Sequence, residues 1–436
     1  MDGNPPVRSR ELPLSGGWDS VRAQAAQAAF CIRAGELAQT AASFRFDIEQ
    51  GLKNKDVSSL RMLPSYTALP DGGEKGDFLA LDFGGTNVRV QRIRLLGGGK
   101  WEILKKAAAP LRCAVYDFTS QDTPREELFD FLAGLVDSAM DGDTKTPCRL
   151  GHTFSFPSEQ DSLKDAKLII WTKEFAVPGV EGEYVNALLS EALVRHGFAN
   201  VKPVAVVNDT VAVLLAAAYC MSPVFIGSIY ATGHNVCYLE SFEGKQPKMI
   251  LNMESGGFSK LIPNEYDNAL DARSEKPGEQ RMEKMTSGRY LGELYALALE
   301  YCLGREKGTV PVFSAAELSG ILSDGAENIL HFHGIDGLSK EEYEEAEALA
   351  EAVLRRSARL VAAEFAGTLW HLAGSGMILP QSIAVDGSVY EKIPFLQAAL
   401  HDALVELLGS DSRKITVACV KDGSALGAAI AACISE

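Results

Sequence analysis

The sequence predicts an α/β protein made of two halves on one plan. The largely apolar run Phe78-Leu79-Ala80-Leu81-Asp82-Phe83 breaks at Gly84-Gly85-Thr86-Asn87 and resumes as Val88-Arg89-Val90-Gln91-Arg92-Ile93, which reads as a strand, a glycine turn and a second strand. About 145 residues later the arrangement recurs, with 224–230 leading through Ala231-Thr232-Gly233-His234-Asn235 into 236–239. Residue identity between the two stretches is low, so what repeats is a plan of structure. After each hairpin, strand candidates alternate with helix candidates, the mark of an α/β chain.

Taken in order, residues 20–52 carry apolar side chains at helical spacing (Ala28, Ile32, Leu37, Ala41, Phe44, Ile48), which predicts one or two amphipathic helices after an irregular start. Pro64, Pro70, Gly72 and Gly73 then mark a turn-rich stretch before the first hairpin. Leu168-Ile169-Ile170-Trp171 and Val204-Ala205-Val206-Val207 read as strands, and 185–195 as a helix. The clearest helix starts at Ser339, because Glu342 three residues on completes a capping box. Its buried stripe is Ala346, Leu349, Ala350 and Val353, with Glu351 and Arg355 paired one turn apart. A last strand at 417–420 and an Ala-rich helix at 425–433, entered through Asp422-Gly423-Ser424, follow.

The chain has 436 residues, 58 acidic against 42 basic, and a formal charge of -16. That length is two to four domains' worth at roughly 100–200 residues each. An apolar fraction of 46% excludes a disordered chain, and the acidic balance disfavours a protein that coats nucleic-acid phosphates. The first residues show neither an export leader nor a transit pattern, which predicts a cytoplasmic protein. The longest apolar run, 211–221, is far short of the ~20 residues of a membrane span, so no membrane partner is expected. Cys31, Cys113, Cys148, Cys220, Cys237, Cys302, Cys419 and Cys433 form no C-x-x-C pair and lie mostly in apolar segments, so they read as reduced core thiols.

Chemistry enters at the turns. In Asp82-Phe83-Gly84-Gly85-Thr86-Asn87 the glycines let backbone N–H groups approach a phosphate, Thr86 and Asn87 add donors, and Asp82 can hold the hydrated Mg²⁺ of a nucleotide. An ordinary hairpin turn explains the same residues, and the lysine of a P-loop is missing. The second turn, Ala231-Thr232-Gly233-His234-Asn235, can grip the other end of a triphosphate or be a turn and nothing more. His234 has no second ligand at metal spacing. The run ending in Asn208-Asp209-Thr210 places a carboxylate at the C-terminal end of a strand, where open α/β sheets put their ligands. Asp209 there can accept the proton of a hydroxyl attacking phosphorus, or Asp209 or Thr210 can simply N-cap the next helix. Asp386-Gly387-Ser388 and Asp422-Gly423-Ser424 suit phosphate or adenosine at a helix N-terminus, or plain capping. Trp171-Thr172-Lys173 adds a single cation, of a kind most often solvated.

In their joint order and spacing these pieces resemble the hexokinase family of eukaryotic type, over about residues 51–432. Residues 74–87 look like the family's first phosphate motif with its lead-in. Phe154-Ser155-Phe156-Pro157 and Trp171-Thr172-Lys173 are similar to its sugar-binding segments, and Asn208-Asp209-Thr210-Val211-Ala212 to its catalytic-aspartate segment. Asn252-Met253-Glu254 and 283–293 extend the likeness. The resemblance implies an actin-like ATPase (ribonuclease H-like) fold, two α/β domains flanking a deep cleft, with ATP and Mg²⁺ between them. It implies ATP-dependent transfer of the γ-phosphate to the 6-hydroxyl of glucose or a related hexose, the first step of glycolysis. In that reading Asp209 takes the proton from the 6-hydroxyl, while Lys173 contacts the sugar and offsets developing charge. Ser155, Phe156, Pro157, Thr172, Lys173, Asn208, Asp209, Asn235, Glu254, Gln280 and Glu283 would line the sugar site. Asp82, Gly84, Gly85, Thr86, Asn87, Arg89, Thr232, Gly233, Gly387 and Ser388 would surround nucleotide and metal, with Asp82 on Mg²⁺ directly or through water.

Three positions depart from the family's pattern: Ser255 where Trp follows the sugar-binding Glu, His234 for a small residue in the second phosphate turn, and Glu174 for Gly after Lys173. A negative Glu174 close to Lys173 would raise the lysine pKa. The motif order narrows the domain count to two, each discontinuous. A disordered start at 1–18 precedes a large domain of 19–76 and 209–420 and a small domain of 77–208 and 421–436. One family unit is expected, as a monomer or homodimer. A sugar sensor on the same fold would need the sugar contacts but not Asp209, Lys173 and Asp82. An actin-like or chaperone ATPase would need the phosphate hairpins but not the sugar segments.

Overall fold

A computed structural model describes residues 17–54, 57–172, 175–242 and 248–435. Helices α1 (Ser20–Ala29) and α2 (Ala34–Lys53) and a short strand, β1 (Leu63–Pro64), precede the first sheet. There β2 (Lys75–Phe83), β3 (Asn87–Gly97) and β4 (Lys100–Pro110) make an antiparallel meander. After α3 (Arg125–Met140), β5 (Cys148–Phe154) joins β2 in parallel. A ribbon of β6 (Ser158–Glu159) and β7 (Lys167–Leu168) and helix α4 (Val185–Arg195) lead to β8 (Val201–Val207), parallel to β5.

Helix α5 (Asp209–Cys220) carries the chain to a second meander of β9 (Val224–Tyr230), β10 (His234–Glu240) and β11 (Met249–Asn252), edged by β1. A helical stretch follows: α6 (Glu265–Arg273), α7 (Arg281–Thr286), α8 (Gly288–Cys302), α9 (Ala315–Asp324), α10 (Ala326–Phe332) and α11 (Lys340–Ala373). Then β12 (Gln381–Asp386) joins β9 in parallel. Helices α12 (Ser388–Lys392) and α13 (Pro394–Leu408) precede β13 (Ile415–Cys419), parallel to β12, and α14 (Gly423–Ile434). The sheets run β4-β3-β2-β5-β8 and β1-β11-β10-β9-β12-β13. Apart from β1 they share one order, a meander with two later strands added in parallel beside its first. The repeat expected from the two hairpins is therefore a repeat of topology.

Helices α3 and α4 cover one face of the first sheet, around Leu79, Leu81, Leu128, Leu132 and Leu189. Against its other face lies α14, and α5, packed on α14, covers β9, β10 and β12 of the second sheet around Val224, Cys237 and Ala384. A helix pair between two sheets must be apolar nearly all round, and these two are. A Cβ on Gly427 of α14 would stand 1.9 Å from the Ala212 carbonyl of α5, so only glycine permits their approach. The remaining helices pack on the outer face of the second sheet, around Tyr230, Tyr238, Tyr295 and Phe365.

Helix α11 starts as its sequence predicts, with Ser339 and Glu342 in a reciprocal capping box and Arg355 2.7 Å from Glu351. The strand expected at Leu168-Ile169-Ile170-Trp171 is not one: pairing stops at Leu168, and Ile169 and Ile170 are exposed. The backbone N–H of Trp171 goes to Glu181 and its indole N–H to the Val177 carbonyl, so the chain curls around the ring instead of pairing. The cysteines are unpaired, as expected, but only Cys148, Cys237 and Cys302 are buried. Cys31, Cys113, Cys220 and Cys419 are exposed because they lie at element ends and in loops. Of the expected disordered start, 1–16 lies outside the described residues, and Trp18 donates its indole N–H to Glu345 at 2.6 Å. No helix among the described residues is long and apolar enough to cross a membrane.

Candidate active site

The parallel strands of both sheets end at candidate residues. Asp82 lies at the end of β2, Ser155 just past β5, and Asn208 and Asp209 just past β8. In the second sheet Ala231 and Thr232 follow β9, Gly387 and Ser388 follow β12, and Asp422 lies shortly past β13. Register keeps these ends level: Asp82 pairs with Thr153, Thr153 with Val207, and Ile229 with Asp386. Carboxyl ends of parallel strands are where α/β sheets place ligands.

Asn208, not Asp209 or Thr210, is the cap of α5. Its Oδ1 accepts from the Thr210 N–H at 3.0 Å and from the Thr210 hydroxyl at 2.7 Å. Asp209, the first residue of α5, also accepts from the Thr210 N–H at 2.8 Å, at the positive end of the helix dipole. The Thr210 carbonyl accepts from Cys237 Sγ at 3.1 Å, which ties this helix start to β10.

The nucleotide candidates gather from both sheets. Gly288 and Arg289 at the start of α8 donate their N–H groups to the carbonyls of Ala231 and Thr232, at 2.8 and 3.1 Å. Gly84 and Gly85 are half-buried, while Thr86 and Asn87 are exposed at the tip of the β2–β3 hairpin. Burial pushes the Asp386 carboxyl up to about 6; hydrogen bonds from the N–H groups of Gly387 and Gly423 oppose the shift, and the charges of Asp422 and Asp82 reinforce it. Arg89 reaches Asp422 at 3.8 Å. Mg²⁺ keeps several waters and takes one or two carboxylates together with substrate phosphates, and Asp82 near Asp386 fits that donor set. Among the described residues, no three or more His, Cys, Asp or Glu side chains form a cage of protein ligands alone.

The sugar candidates meet around the β9–β10 turn. Asn235 Oδ1 accepts from the N–H groups of Val236 and Ser255, at 2.7 and 3.0 Å, and its Nδ2 donates to Asn252 at 2.9 Å. Asn252 in turn donates to Glu254 Oε1 at 2.8 Å. Glu254 and Gln280 hold φ at 51° and 53°, in the left-handed region that non-glycine residues seldom occupy and that clusters at functional sites. A Cβ on Gly256 would lie 2.7 Å from Gln280 Oε1, 3.0 Å from Glu283 Cβ and 3.1 Å from the His234 carbonyl. Asn235, Glu254, Gln280 and Glu283 are thus brought together beside Thr232 and Gly233.

Ser155, Pro157 and Thr172 are half-buried past the first sheet. Phe156 is buried among Phe83, Phe154, Trp171 and Phe175, with ring centroids 4.9–5.6 Å away, so its ring packs the core. Lys173 and Glu174 lie outside the described residues. Sequence reasoning passes over Asn252, Asp386 and Asp422 as site residues, although each stands inside a motif it singles out. It gives no signal for Glu364 of α11, which meets the buried side chain of His234.

Two family models described as Hexokinase match residues 22–219 and 225–434. The chain is 35% identical to Hexokinase-2 of Rattus norvegicus over 430 residues, covering 90% of this chain and 46% of that protein. It therefore spans about half the length of that relative. It is 34% identical to Hexokinase-7 of Oryza sativa subsp. japonica over 439 residues, 92% of this chain and 93% of that one. A solved hexokinase from Schistosoma mansoni, complexed with glucose, superposes with a TM-score of 0.76 at 28% identity, covering 95% of this chain and 99% of that one. With that likeness, the two sheets of one topology and the helix layer between them are the actin-like ATPase fold. Family matches across nearly the whole of both halves, and relatives above 30% identity, show that the chain belongs to the hexokinase family.

Proposed function

We propose that the chain is an ATP-dependent hexokinase, transferring the γ-phosphate of ATP to the 6-hydroxyl of a hexose, glucose first among them. The observation that carries this is what lies at the strand ends: Asn208, not Asp209, caps α5, turns at Gly84, Gly233 and Gly387 follow β2, β9 and β12, and Gln280 and Glu283 meet around Gly256. A hexose presents many hydroxyls, and a site rich in fixed carboxylates and amides orders each one and rejects analogues that lack it. Asn235, Glu254, Gln280 and Glu283, with Ser155, Thr172 and Asn208, take that part. Asp209 accepts the proton of the 6-hydroxyl as it attacks phosphorus. In the same reading Lys173 contacts the sugar and offsets developing charge. The turns 84–87, 232–233 and 387–388 take the nucleotide through backbone N–H groups, with Arg89 at their rim. When bound, Mg²⁺ neutralises phosphate charge; Asp82 holds it directly or through water.

In this reading the small lobe is 77–208 with 421–436, and the large lobe 19–76 with 209–420. The enzyme acts as a monomer or homodimer. Eight unpaired cysteines favour a reducing compartment such as the cytoplasm.

The test is a coupled ADP-release assay across a panel of hexoses, run on the protein and on Asp209→Asn. The variant should lose sugar-dependent turnover by roughly 10²–10⁴-fold while still binding glucose. Equal turnover would remove Asp209 from the role of base. Glucose binding without any turnover by the unaltered chain would turn the reading into that of a sugar sensor.

A further inference from the structure

The side chain of His234 is fully buried, whereas its neighbour Thr232 is exposed. Its Nδ1 lies 3.1 Å from the Ile229 carbonyl, which has no proton to give, so Nδ1 carries the hydrogen and donates. Its Nε2 meets the carboxyl of Glu364, which projects from α11 and is itself 1% exposed. Burial holds the Glu364 carboxyl above its ordinary range, and His234 pulls it back. Ser255, also buried, faces the same carboxyl. Two helical turns away on α11, Ser357 donates to the Thr286 carbonyl at the end of α7 and accepts from the Tyr230 hydroxyl. Helix α11 is thereby tied to the β9–β10 turn, to the loop after Glu254 and to the helix that carries Glu283.

A buried hydrogen-bonded polar pair adds little stability over an apolar pair of the same shape, so stability alone does not account for this one. Its placement does. His234 stands between Gly233, where a Cβ would come within 3.1 Å of Glu283 Oε1, and Asn235, which accepts from the Ser255 N–H. We infer that His234 and Glu364 are positioning residues: their contact locks the turn that presents Thr232 and Gly233 to the nucleotide and Asn235 to the sugar, so one buried link sets both subsites. The inference rests on the hexokinase reading above.

The full chain is compared with His234→Leu, His234→Gln and Glu364→Gln for kcat, both KM values and thermal midpoint. His234→Leu loses both links and should lower kcat/KM for hexose and for ATP alike by roughly tenfold or more, since small misplacements of reacting groups act strongly on rate. His234→Gln keeps a donor toward Glu364 and should return to within about threefold of the original. A His234→Leu protein that melts earlier yet keeps both kcat/KM values within about twofold, or loses only one of them, overturns the inference. Should that variant not fold, Glu364→Gln decides by the same two criteria. If the unaltered chain releases no ADP with any hexose, the hexokinase reading fails by itself. The link is then read from the thermal shifts given by glucose and by Mg·ADP, both of which should shrink in the variants; unchanged shifts overturn it.

Discussion

Asn252 holds two of the proposed sugar ligands with one amide, accepting from Asn235 and donating to Glu254. Each such hydrogen bond has a net strength of about 0.5–1.5 kcal/mol, and losing both also frees two side chains that must be ordered to bind. Asn252→Ala should therefore lower kcat/KM for hexose about tenfold and leave the KM for ATP nearly unchanged, measured by initial rates with each substrate varied in turn. An equal rise in both KM values would deny it this local part. Asp386 is predicted to act through pH. Its carboxyl is raised from 3.8 to about 6 by burial, so between those values the folded protein holds a proton that the unfolded chain has lost. The stability this confers is complete below the unfolded value and is lost as pH rises through about 6. Asp386→Asn should accordingly be more stable than the original near neutral pH, by at most about 3 kcal/mol, with the gap closing toward about pH 4. Urea melts at the two pH values would show it, and an original chain that is the more stable at neutral pH would sink the idea. The motif residues around Asp209 are legible in the sequence because they are consecutive. Asn252 and Glu364 are not, because their partners arrive from other strands and helices.

Helix ends and helix crossings differ in the same way. Ser339 and Glu342 announce α11 within four consecutive residues, and removing the cap by Ser339→Ala should cost about 1 kcal/mol, read from a denaturant midpoint. Gly427 looks like one more small residue in an Ala-rich helix, yet it sits where α14 crosses α5 at backbone contact. Gly427→Ala should destabilise by about 1–3 kcal/mol or more, whereas an alanine in an ordinary helix interior would stabilise. A Gly427→Ala protein at least as stable as the original would show that the two helices have room to part. Periodicity gives helix α4 nearly to the residue, since its apolar positions answer to a local face. It misreads 168–171 because the Trp171 N–H is taken by Glu181, a partner ten residues away that no local pattern encodes.

At the scale of the molecule, two glycine hairpins reveal the doubled plan, but nothing in the sequence reveals that α5 and α14 form one layer serving both sheets. That layer has a mechanical consequence. The proposed sugar ligands lie on both sides of it, Ser155 and Thr172 past the first sheet and Asn235, Glu254 and Glu283 by the second. The chain passes from one sheet to the other at 64–75, at 207–209 and at 419–423, and the latter two crossings carry Asp209 and Asp422. A sugar that hydrogen-bonds to both sets can draw the sheets together about these crossings, where few residues need change conformation. Closure would also exclude water, which otherwise competes with the hexose for the γ-phosphate. The net charge of -16 does not assist an anionic nucleotide, so in the proposed reading backbone N–H groups, Lys173 and Mg²⁺ carry its binding. Saturating glucose is therefore expected to lower the radius of gyration measured by small-angle scattering. Asp209→Asn should show the same contraction, because closure follows from binding and precedes chemistry. A scattering profile that stays unchanged while calorimetry shows glucose bound would mean that the two sheets are already fixed in their working arrangement.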